Sequence, residues 1–283
     1  MKKTLLNLLC CDRCGHDLVE LDGALRCAHC DRIVPLEDGI PIFTQVPPGL
    51  QPSEKLRRGP EIGTPWRRAN WRFLAGQVAA LDAGAVILDV GAGRGDFADL
   101  FRGRHYLALD VYPYPEVDIV CDLTCSNPFC KASLDAVLLM NVLEHVYDTH
   151  SLLGSLAEML KPGGTLIVAI PFLVKMHQEP VDFVRYTHHA LERLGLQHGL
   201  ELERLEGFYD PVSLLGEGIG NLKWAVLPET RGLRHYTSRL LLVGMEVMTS
   251  ALGRVIGPGR LQPPQAARSH APTGYHVVYK KTA

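Results

Sequence analysis

A short apolar run that ends in a glycine-rich turn is the feature of this 283-residue chain that most restricts its fold. The run, residues 85–90, is apolar at almost every position, as in a strand buried on both faces of a parallel sheet. The turn that follows, Gly91-Ala92-Gly93-Arg94-Gly95, leads into a pattern at 97–101 that predicts a helix. Short apolar runs and helical patterns then alternate, which predicts an α/β domain with a mostly parallel sheet.

The same alternation predicts the remaining elements and the domain boundaries. Strands are predicted at 106–110, 136–140, 165–170, 201–205 and 275–279, and helices at 54–81, 151–160 and 187–194. A helical insertion is predicted at about 212–265. We divide the chain into a cysteine-rich segment (1–46), a proline-rich linker with the start of a basic helix (47–70) and the α/β domain (71–283).

Composition excludes several classes of protein. With 47% hydrophobic residues and a net charge of −2, the chain is neither disordered nor drawn as a whole to nucleic acid or anionic membranes. The most apolar stretch, 240–257, contains Glu246 and Arg254, so it predicts a buried or amphipathic helix and no membrane span. The N-terminus lacks the apolar core of a signal peptide. Clustered cysteines argue against a disulfide scaffold, so we predict a cytoplasmic location.

Four N-terminal cysteines have the spacing of a structural zinc site. Cys11-x2-Cys14 is followed after 12 residues by Cys27-x2-Cys30, and two such knuckles supply the four thiolates of a closed tetrahedral site. Cys10 is an alternative ligand to Cys11. The other three cysteines, Cys121, Cys125 and Cys130, match no zinc knuckle and are predicted to be unpaired.

The glycine-rich turn favours one cofactor over another. Asp110 ends the next strand, 19 residues after Gly91, where a carboxylate can accept both hydroxyls of a ribose. Dinucleotide sites usually have a third glycine at the position of Asp96, whereas here that glycine is Gly95. This spacing, with Asp89 two residues before Gly91, fits S-adenosylmethionine (SAM) better than a nicotinamide dinucleotide.

An ordered set of motifs resembles the class I SAM-dependent methyltransferases, in the subgroup around ubiquinone and menaquinone biosynthesis. The set comprises Val86-Ile87-Leu88-Asp89-Val90-Gly91-Ala92-Gly93-Arg94-Gly95, Asp110, Cys121-Asp122-Leu123, Asn141-Val142-Leu143-Glu144-His145-Val146 and Leu160-Lys161-Pro162-Gly163-Gly164-Thr165-Leu166. The resemblance implies a Rossmann-like sheet of seven strands, mostly parallel, with one reversed strand at 274–280.

The resemblance also implies roles for particular residues. The backbone of Gly91–Gly95 would face the methionine part of SAM, Asp110 would hold the ribose, Asp122 would accept the adenine amino group, and Asn141 would lie beside the sulfonium. The full set implied to bind the cofactor is Asp89, Gly91, Ala92, Gly93, Asp110, Val111, Asp122, Leu123 and Asn141.

The N-terminal segment resembles a second family, the small zinc-ribbon proteins that partner tRNA, rRNA and release-factor methyltransferases. The resemblance rests on Leu8-Leu9-Cys10-Cys11-Asp12-Arg13-Cys14, Cys27-x2-Cys30 and Leu36-Glu37-Asp38-Gly39-Ile40-Pro41. Asp12 stands where that family usually has proline. Because such ribbons also occur fused to other methyltransferases, the ribbon does not by itself imply an RNA substrate.

Candidates for a catalytic base follow the strands predicted at 136–140 and 165–170. They are His145, His177 and Asp182, since ligands of open α/β sheets bind at the carboxyl ends of the strands. Two structural alternatives stay open. Glu144 and His145 could simply pack the next segment, and Asp182 could pair with Arg185 to hold its loop. Thr187 is predicted to cap a helix.

These features predict a methyltransferase (EC 2.1.1) that methylates oxygen or nitrogen of a small metabolite such as a sugar, a quinone or a natural product. An RNA methyltransferase is the first alternative, supported by the basic residues Lys55, Arg57, Arg58, Arg67, Arg68 and Arg72. Against it, Asn141-Val142-Leu143-Glu144 stands where base-nitrogen methyltransferases commonly have Asn-Pro-Pro-aromatic. A non-catalytic partner protein is the second alternative. A homodimer through the 212–265 helices is a further expectation.

Overall fold

The computed structural model describes residues 3–52, 54, 59–256 and 271–282. Its strands are β1 (Leu18–Leu21), β2 (Ala24–Cys27), β3 (Ile33–Glu37), β4 (Ile40–Pro41), β5 (Val86–Val90), β6 (His105–Asp110), β7 (Ile119–Val120), β8 (Leu134–Met140), β9 (Leu160–Pro171), β10 (Leu200–Phe208) and β11 (Gly274–Lys281). Its α-helices are α1 (Lys3–Leu6), α2 (Pro65–Ala80), α3 (Thr149–Met159), α4 (His188–Leu196), α5 (Pro211–Val226) and α6 (Gly232–Ile256).

Seven strands form one sheet in the order β10-β11-β9-β8-β5-β6-β7. Strand β11 is antiparallel to both of its neighbours, whereas β9, β8, β5, β6 and β7 are parallel. This confirms the predicted α/β fold, a Rossmann-like methyltransferase sheet with one reversed strand. It also brings the carboxyl ends of β5, β6, β8, β9 and β10 to one edge of the sheet.

Helices cover both faces of the sheet, which is why its central strands are apolar throughout. Helix α2 buries Trp71, Leu74 and Val78 against one face. On the other face, the strand side chains that point away from α2 form a second core. Helices α3 and α4 contribute to it Leu152, Leu153, Leu156, Leu191 and Leu194.

Two predicted helices are shorter than the sequence pattern indicated. Helix α2 begins at Pro65 and not near Glu54, because the Thr64 side chain accepts the Arg67 N–H at 3.2 Å and residues 59–63 form turns. Residues 55–58 of that prediction lie outside the described residues. The helix predicted at 97–101 is one 3-10 turn, since Gly95 and Gly103 on either side have positive φ.

The cysteine-rich segment is a four-stranded antiparallel sheet that joins the edge of the large sheet. Ile42 pairs in parallel with Val120, and the Phe43 N–H donates to Val120 O at 2.9 Å. Leu5, Leu9 and Phe43 are buried in the same core as the sheet residues. The segment is therefore packed into the α/β domain and does not simply hang on the linker.

Asp12 ties the two parts together. Its carboxylate accepts hydrogen bonds from Arg32 Nε and Nη2, both at 2.9 Å. It also accepts a hydrogen bond at 3.0 Å from the hydroxyl of Ser126, which belongs to the α/β domain. Arg32 also donates to Phe43 O at 3.0 Å. Charge-assisted bonds of this kind are stronger than neutral ones, so the acid at this position has a structural role that proline could not fill.

One expectation about the cysteines is wrong. Cys10 and Cys130 form a disulfide that links the N-terminal segment to the loop before β8. The two segments meet because Leu9 forms a β-bridge with Phe129. In addition, the backbone N–H groups of Cys10 and Cys130 each donate a hydrogen bond to the opposite segment. Cys10 is therefore not a spare metal ligand. Six cysteines stay free, Cys121 buried and Cys125 exposed among them.

The inserted region contains α5 and α6, which pack antiparallel as a hairpin, and residues 257–265 of it lie outside the described part. Lys223 on α5 bonds Glu246 on α6 at 3.0 Å. The expectation of a buried or amphipathic helix at 240–257 holds on one side only. Among residues 240–255, Leu242 and Thr249 are buried, but most other apolar side chains are exposed.

Within the described residues, no helix combines the length and hydropathy needed to cross a bilayer.

Candidate functional site

The glycine-rich turn after β5 is held close to two neighbouring segments. The N–H groups of Gly91 and Ala92 both donate to Leu109 O, at 2.8 and 3.0 Å. Gly91 has a φ of 70°, and a Cβ there would lie 2.5 Å from Val142 Cγ2. Gly93 also has positive φ, but a Cβ there would meet open space. The turn therefore needs glycine at Gly91 for two reasons, and it leaves a bare backbone surface at Gly93.

A cavity of about 480 Å³ opens at this edge of the sheet. The turn and the ends of β5 and β8 form its floor, and Gln178, Glu179 and Val181 form part of its wall. Gly49–Pro52 of the linker close another side, a placement that the sequence did not indicate. Of the residues implied to bind the cofactor, Asp89, Gly91, Ala92, Gly93 and Asn141 line the cavity.

Asn141 is held rigidly at the end of β8. It has a φ of 58°, a left-handed conformation that asparagine tolerates better than most residues. Its Oδ1 accepts Trp66 Nε1 at 2.8 Å and Asn70 Nδ2 at 3.4 Å. Because both contacts use Oδ1, the amide Nδ2 is the end that can donate to a ligand.

A buried histidine supports this arrangement. His276 Nε2 lies 2.8 Å from Asn70 Oδ1, and burial lowers the pKa of His276 to about 3, so its ring is neutral and donates from Nε2. The ring stacks between Trp66 and Phe73, with centroids 4.9 and 4.3 Å away. The sequence did not indicate Trp66, Asn70 or His276, because their partners are 71 to 206 residues away.

Two of the predicted carboxylates are engaged with their own turns. Asp110 accepts the N–H groups of Gly93 at 2.8 Å and Tyr112 at 3.0 Å, and burial raises its pKa. Asp122 accepts the N–H and hydroxyl of Thr124, at 2.9 and 2.6 Å. Neither these residues nor Val111 and Leu123 line the described cavity. Their implied contacts to ribose and adenine stay predictions.

Asp89 is a buried acid at the base of the turn. It is 2% exposed and accepts the Tyr106 hydroxyl at 2.7 Å. Burial, opposed in part by this bond, raises its pKa to about 7. Asp89 can therefore hold a proton near neutral pH, or give it up to a cationic ligand.

A second group of titratable residues lies next to the cavity wall. Glu144 Oε1 is 3.7 Å from His145 Nε2 and 3.9 Å from His177 Nε2. Glu144 is fully buried, and neither of its carboxyl oxygens, nor His145 Nε2, makes a hydrogen bond within the described part of the chain. The structure therefore brings His145 and His177 together around an acid that the sequence had left without a role.

Burial sets the protonation of this group. It raises the pKa of Glu144 to about 8, so the carboxyl is protonated at neutral pH. It lowers the pKa of His145, although the bond to Val181 opposes the shift. Because Val181 O can only accept, its 2.7 Å bond to His145 Nδ1 places the ring proton there and leaves the lone pair on Nε2.

Asp182 serves mainly to hold its loop. It binds Arg185 through both carboxylate oxygens and accepts the His177 N–H at 2.8 Å. The Arg185 side chain holds the pKa of Asp182 far below its usual range. This geometry corresponds to the structural alternative for Asp182 and Arg185. None of His145, His177 and Asp182 lines the cavity directly, but Val181, which accepts from His145, does.

The described arginines of the basic run differ in their contacts. Arg67 bonds Asp96 at 2.7 Å, Arg68 donates to Gly63 O at 2.6 Å, and Arg72 lies 3.9 Å from Glu61. Lys55, Arg57 and Arg58 lie outside the described residues. Arg67 is thus held in a close ion pair, whereas Arg68 bonds a neutral carbonyl and Arg72 is 58% exposed beside an exposed Glu61.

The four N-terminal cysteines converge on one point. Their sulfurs lie 3.4 to 3.6 Å apart for the pairs Cys11–Cys30, Cys14–Cys27 and Cys14–Cys30. A tetrahedron with Zn–S bonds of about 2.3 Å has edges of roughly 3.8 Å, so the donor set fits zinc. The backbone N–H groups of His29 and Cys30 donate to Cys27 Sγ at 3.3 and 3.4 Å, a contact that stabilises a ligating thiolate.

Comparisons with known proteins agree with this architecture. Residues 66–205 match the family model described as "Methyltransferase domain". The chain is 31% identical over 169 residues to a Ubiquinone biosynthesis O-methyltransferase of Xylella fastidiosa, which covers 46% of this chain and 66% of that protein. It is 31% identical over 110 residues to Methyltransferase str2 of Strobilurus tenacellus, covering 34% and 40% of the two chains. The chain thus spans about 40 to 66% of the length of these relatives.

A solved structure is also similar. It is a chain from a complex that contains the Haloferax volcanii Trm112 methyltransferase activator, with a TM-score of 0.49 and 18% sequence identity. The match covers 76% of this chain and 91% of that one.

Proposed function

We propose that this chain transfers a methyl group from SAM to oxygen or nitrogen of a small metabolite, because residues 66–205 match the family model of a methyltransferase domain and the chain carries the ordered motifs that resemble class I SAM-dependent methyltransferases. When bound, SAM supplies a methyl group already activated by a sulfonium. The work of the protein is then to hold donor and acceptor in line and to exclude water.

The observation that carries the proposal is the bare turn at Gly91 and Gly93, opposite a rigid Asn141. Both glycines line the cavity, Gly91 with its backbone packed against Val142 and Gly93 with no atom within 4 Å of the position of a Cβ. Asn141 presents its Nδ2 donor, since Trp66 and Asn70 occupy its Oδ1. We place the methionine part of SAM against these groups, with Asp110 for the ribose and Asp122 for the adenine amino group.

We assign the general base to His145. Its proton sits on Nδ1, bonded to Val181 O, and its lowered pKa keeps Nε2 free to accept a proton at neutral pH. Val181 also lines the cavity, so movement of the 177–182 loop would link the histidine to an acceptor hydroxyl. His177 is the second candidate, and Asp182 positions it through its bond to the His177 N–H. A base of this kind is worth about 10²–10⁴-fold in rate.

Two further points support a small acceptor. The similar Xylella fastidiosa protein is named for O-methylation in ubiquinone biosynthesis, so a hydroxylated ring compound is the first class of acceptor to test. Arg67, one of the described basic residues, is already ion-paired with Asp96 at 2.7 Å, which lowers the positive charge available to an RNA substrate. We also propose that Cys11, Cys14, Cys27 and Cys30 hold a structural zinc ion.

The first test is calorimetric titration of the zinc-assayed protein with S-adenosylhomocysteine, with NADH as the control ligand. We expect S-adenosylhomocysteine alone to bind, with a dissociation constant on the order of micromolar. Asp110→Asn keeps the size of the side chain and should weaken binding at least about tenfold if Asp110 holds the ribose. Unchanged affinity would show that the ribose lies elsewhere.

The second test screens methyl acceptors by formation of S-adenosylhomocysteine, with catechols and amines tested beside RNA. With an active acceptor, His145→Gln should lower kcat about 10²-fold or more with little change in KM. Methylation of RNA alone would overturn the proposed substrate class. A folded, zinc-loaded protein that binds no S-adenosylhomocysteine would instead indicate a non-catalytic partner protein.

A further inference from the structure

Helix α6 carries a long apolar face that points away from the rest of the chain. Its exposed apolar residues are Leu233, Tyr236, Leu240, Leu241, Val243, Val247, Met248, Leu252 and Val255. At about 100° per residue these positions fall on one side of the helix. The face runs from Leu233 to Val255, about 33 Å at 1.5 Å per residue. Leu240 is 76% exposed and Val255 80%, so the face is open to solvent along its length.

The opposite side of α6 packs on α5. Leu242 and Thr249 are the buried residues of α6, and Gly253 lies close to Val212 at the start of α5. Every apolar residue of the outer face lies on the far side from these contacts. Among the described residues, the outer face is thus without cover, and a continuous exposed apolar face of this length is uncommon on a protein that works alone in water.

The charged residues of α6 indicate which kind of surface could bind this apolar face. The exposed charged residues of α6 are Arg234, Arg239 and Arg254, all positive. The one acid of the helix, Glu246, is held by Lys223 at 3.0 Å. If two copies paired through this face, α6 would bring only arginines as exposed charges to the contact, with no acid of α6 free to offset them. The surface that complements an apolar face flanked by arginines is a bilayer of anionic lipids.

The end of the hairpin near the α5–α6 turn has the composition of an interfacial anchor. Trp224 at the end of α5 is 82% exposed, and Leu233 and Tyr236 are exposed at the start of α6. The exposed arginines beside them, Arg231 and Arg234, outnumber the exposed acid of the turn, Glu229. Aromatic residues of this kind lie at the level of lipid headgroups, leucines enter the acyl region, and arginines bind the phosphates.

We propose that the α5–α6 hairpin binds the surface of an anionic lipid bilayer through the outer face of α6. The hairpin starts at Pro211, just after β10 ends at Phe208, and β10 runs parallel to β9. It therefore leaves the sheet at the edge where the cavity opens. Binding through this face brings that edge close to the bilayer, and it needs no part of the methyl-transfer chemistry.

The test is co-sedimentation of the full chain with phospholipid vesicles, compared between neutral phosphatidylcholine and a mixture with about one-third phosphatidylglycerol. We expect binding to the anionic vesicles, and weaker binding when salt is raised from about 0.1 to 0.5 M. Leu240→Glu should lower the partition coefficient at least about tenfold, because it places a charge at the centre of the apolar face. Arg234→Gln with Arg239→Gln should lower it about fivefold per arginine and reduce the salt dependence.

Leu196→Glu is the matched control. Leu196 ends α4, is 60% exposed and lies outside the hairpin, so its substitution changes the charge of the chain equally without touching the face. It should bind vesicles as the unmodified protein does. Equal losses in Leu196→Glu and Leu240→Glu would overturn the proposal, as would failure to bind anionic vesicles. A dimer in solution that Leu240→Glu dissociates, together with no vesicle binding, would show that a second copy covers the face.

Discussion

Gly91 and Gly93 have the same backbone requirement but different surroundings. Both lie at positive φ, where an alanine costs about 1–2 kcal/mol. Only Gly91 faces a neighbour, the stiff β-branched Val142, whereas Gly93 faces open space. Substitution at Gly93 therefore tests the backbone requirement of the turn alone, whereas substitution at Gly91 also tests its packing against Val142.

We predict that Gly93→Ala destabilises the protein by about 1 kcal/mol and Gly91→Ala by about 2–3 kcal/mol, since Val142 must also move. Urea unfolding of the two variants measures the difference. If the two free energies of unfolding were equal, the contact with Val142 would have no energetic weight. Titration with S-adenosylhomocysteine on the same samples shows whether the added methyl groups also obstruct the ligand.

Glu144 makes stability depend on pH. Its folded pKa of about 8 is above the ordinary value of 4.5, so between these pH values the folded state binds more protons than the unfolded state. The contribution of Glu144 is therefore present at low pH and is lost as pH rises towards 8. We predict that Glu144→Gln removes this loss, which amounts to at most about 1.4 kcal/mol per pH unit.

Chemical unfolding at several pH values between 5 and 9 tests this prediction for Glu144, whose pKa is about 8. The advantage of Glu144→Gln over the unmodified protein should grow as pH rises and then level off above the folded pKa. A difference that does not vary with pH would mean that Glu144 titrates normally. Because glutamine keeps the shape of the side chain, the comparison isolates the proton.

At the level of the helices, two glycines show how packing decides the effect of the same change. Gly154 in α3 has no atom nearer than 3.9 Å to the position of an added Cβ. A Cβ at Gly195 in α4 would overlap the Tyr279 ring and lie 2.9 Å from Leu200 O. Gly195 therefore lets α4 approach β10 and β11 closely. The sequence pattern, which predicted that the helix stops at Gly195, did not indicate this packing role.

We predict that Gly154→Ala stabilises the protein by about 0.5–1 kcal/mol through helix propensity. Gly195→Ala should instead destabilise it by about 1–3 kcal/mol, because overpacking outweighs the same gain in propensity. Thermal unfolding of both variants measures the two signs. Stabilisation by Gly195→Ala would show that α4 can shift away from β11 without cost.

For the whole molecule, the core that the N-terminal segment shares with the large sheet determines how the proposed zinc ion would affect stability. Leu5, Leu9 and Phe43 pack with residues of the large sheet, Arg32 and Asp12 bridge to Ser126, and Cys10 is bonded to Cys130. A ribbon on a free linker would melt by itself. This one should share a single cooperative transition with the α/β domain.

We predict that removal of zinc by a chelator, or by Cys14→Ser, lowers the Tm of one calorimetric transition by several degrees without splitting it. Scanning calorimetry with a parallel zinc assay makes the measurement. Cys125→Ser is the matched control, since Cys125 is exposed and lies outside the four-cysteine group. Two separate transitions, with the lower one sensitive to zinc, would contradict a shared core.

Features that rest on local chemistry were predictable from the sequence alone. Apolar runs at the strands, the glycine turn with Asp89 and Asp110, and the CxxC pairs each depend on residues close in the chain, so the sheet with its reversed strand and the four-cysteine group followed from pattern and resemblance. Thr187 caps α4 as expected, because a cap acts over three residues.

Which distant residues meet depends on the tertiary structure. It brought His276 to Asn70 across 206 positions, paired Cys10 with Cys130, buried Glu144 between two histidines and laid the linker against the cavity. It also left the outer face of α6 open, although its apolar pattern is the kind that elsewhere predicts a buried helix. Periodicity shows that a side chain seeks an apolar environment, but the packing of all the elements decides whether the chain itself provides one.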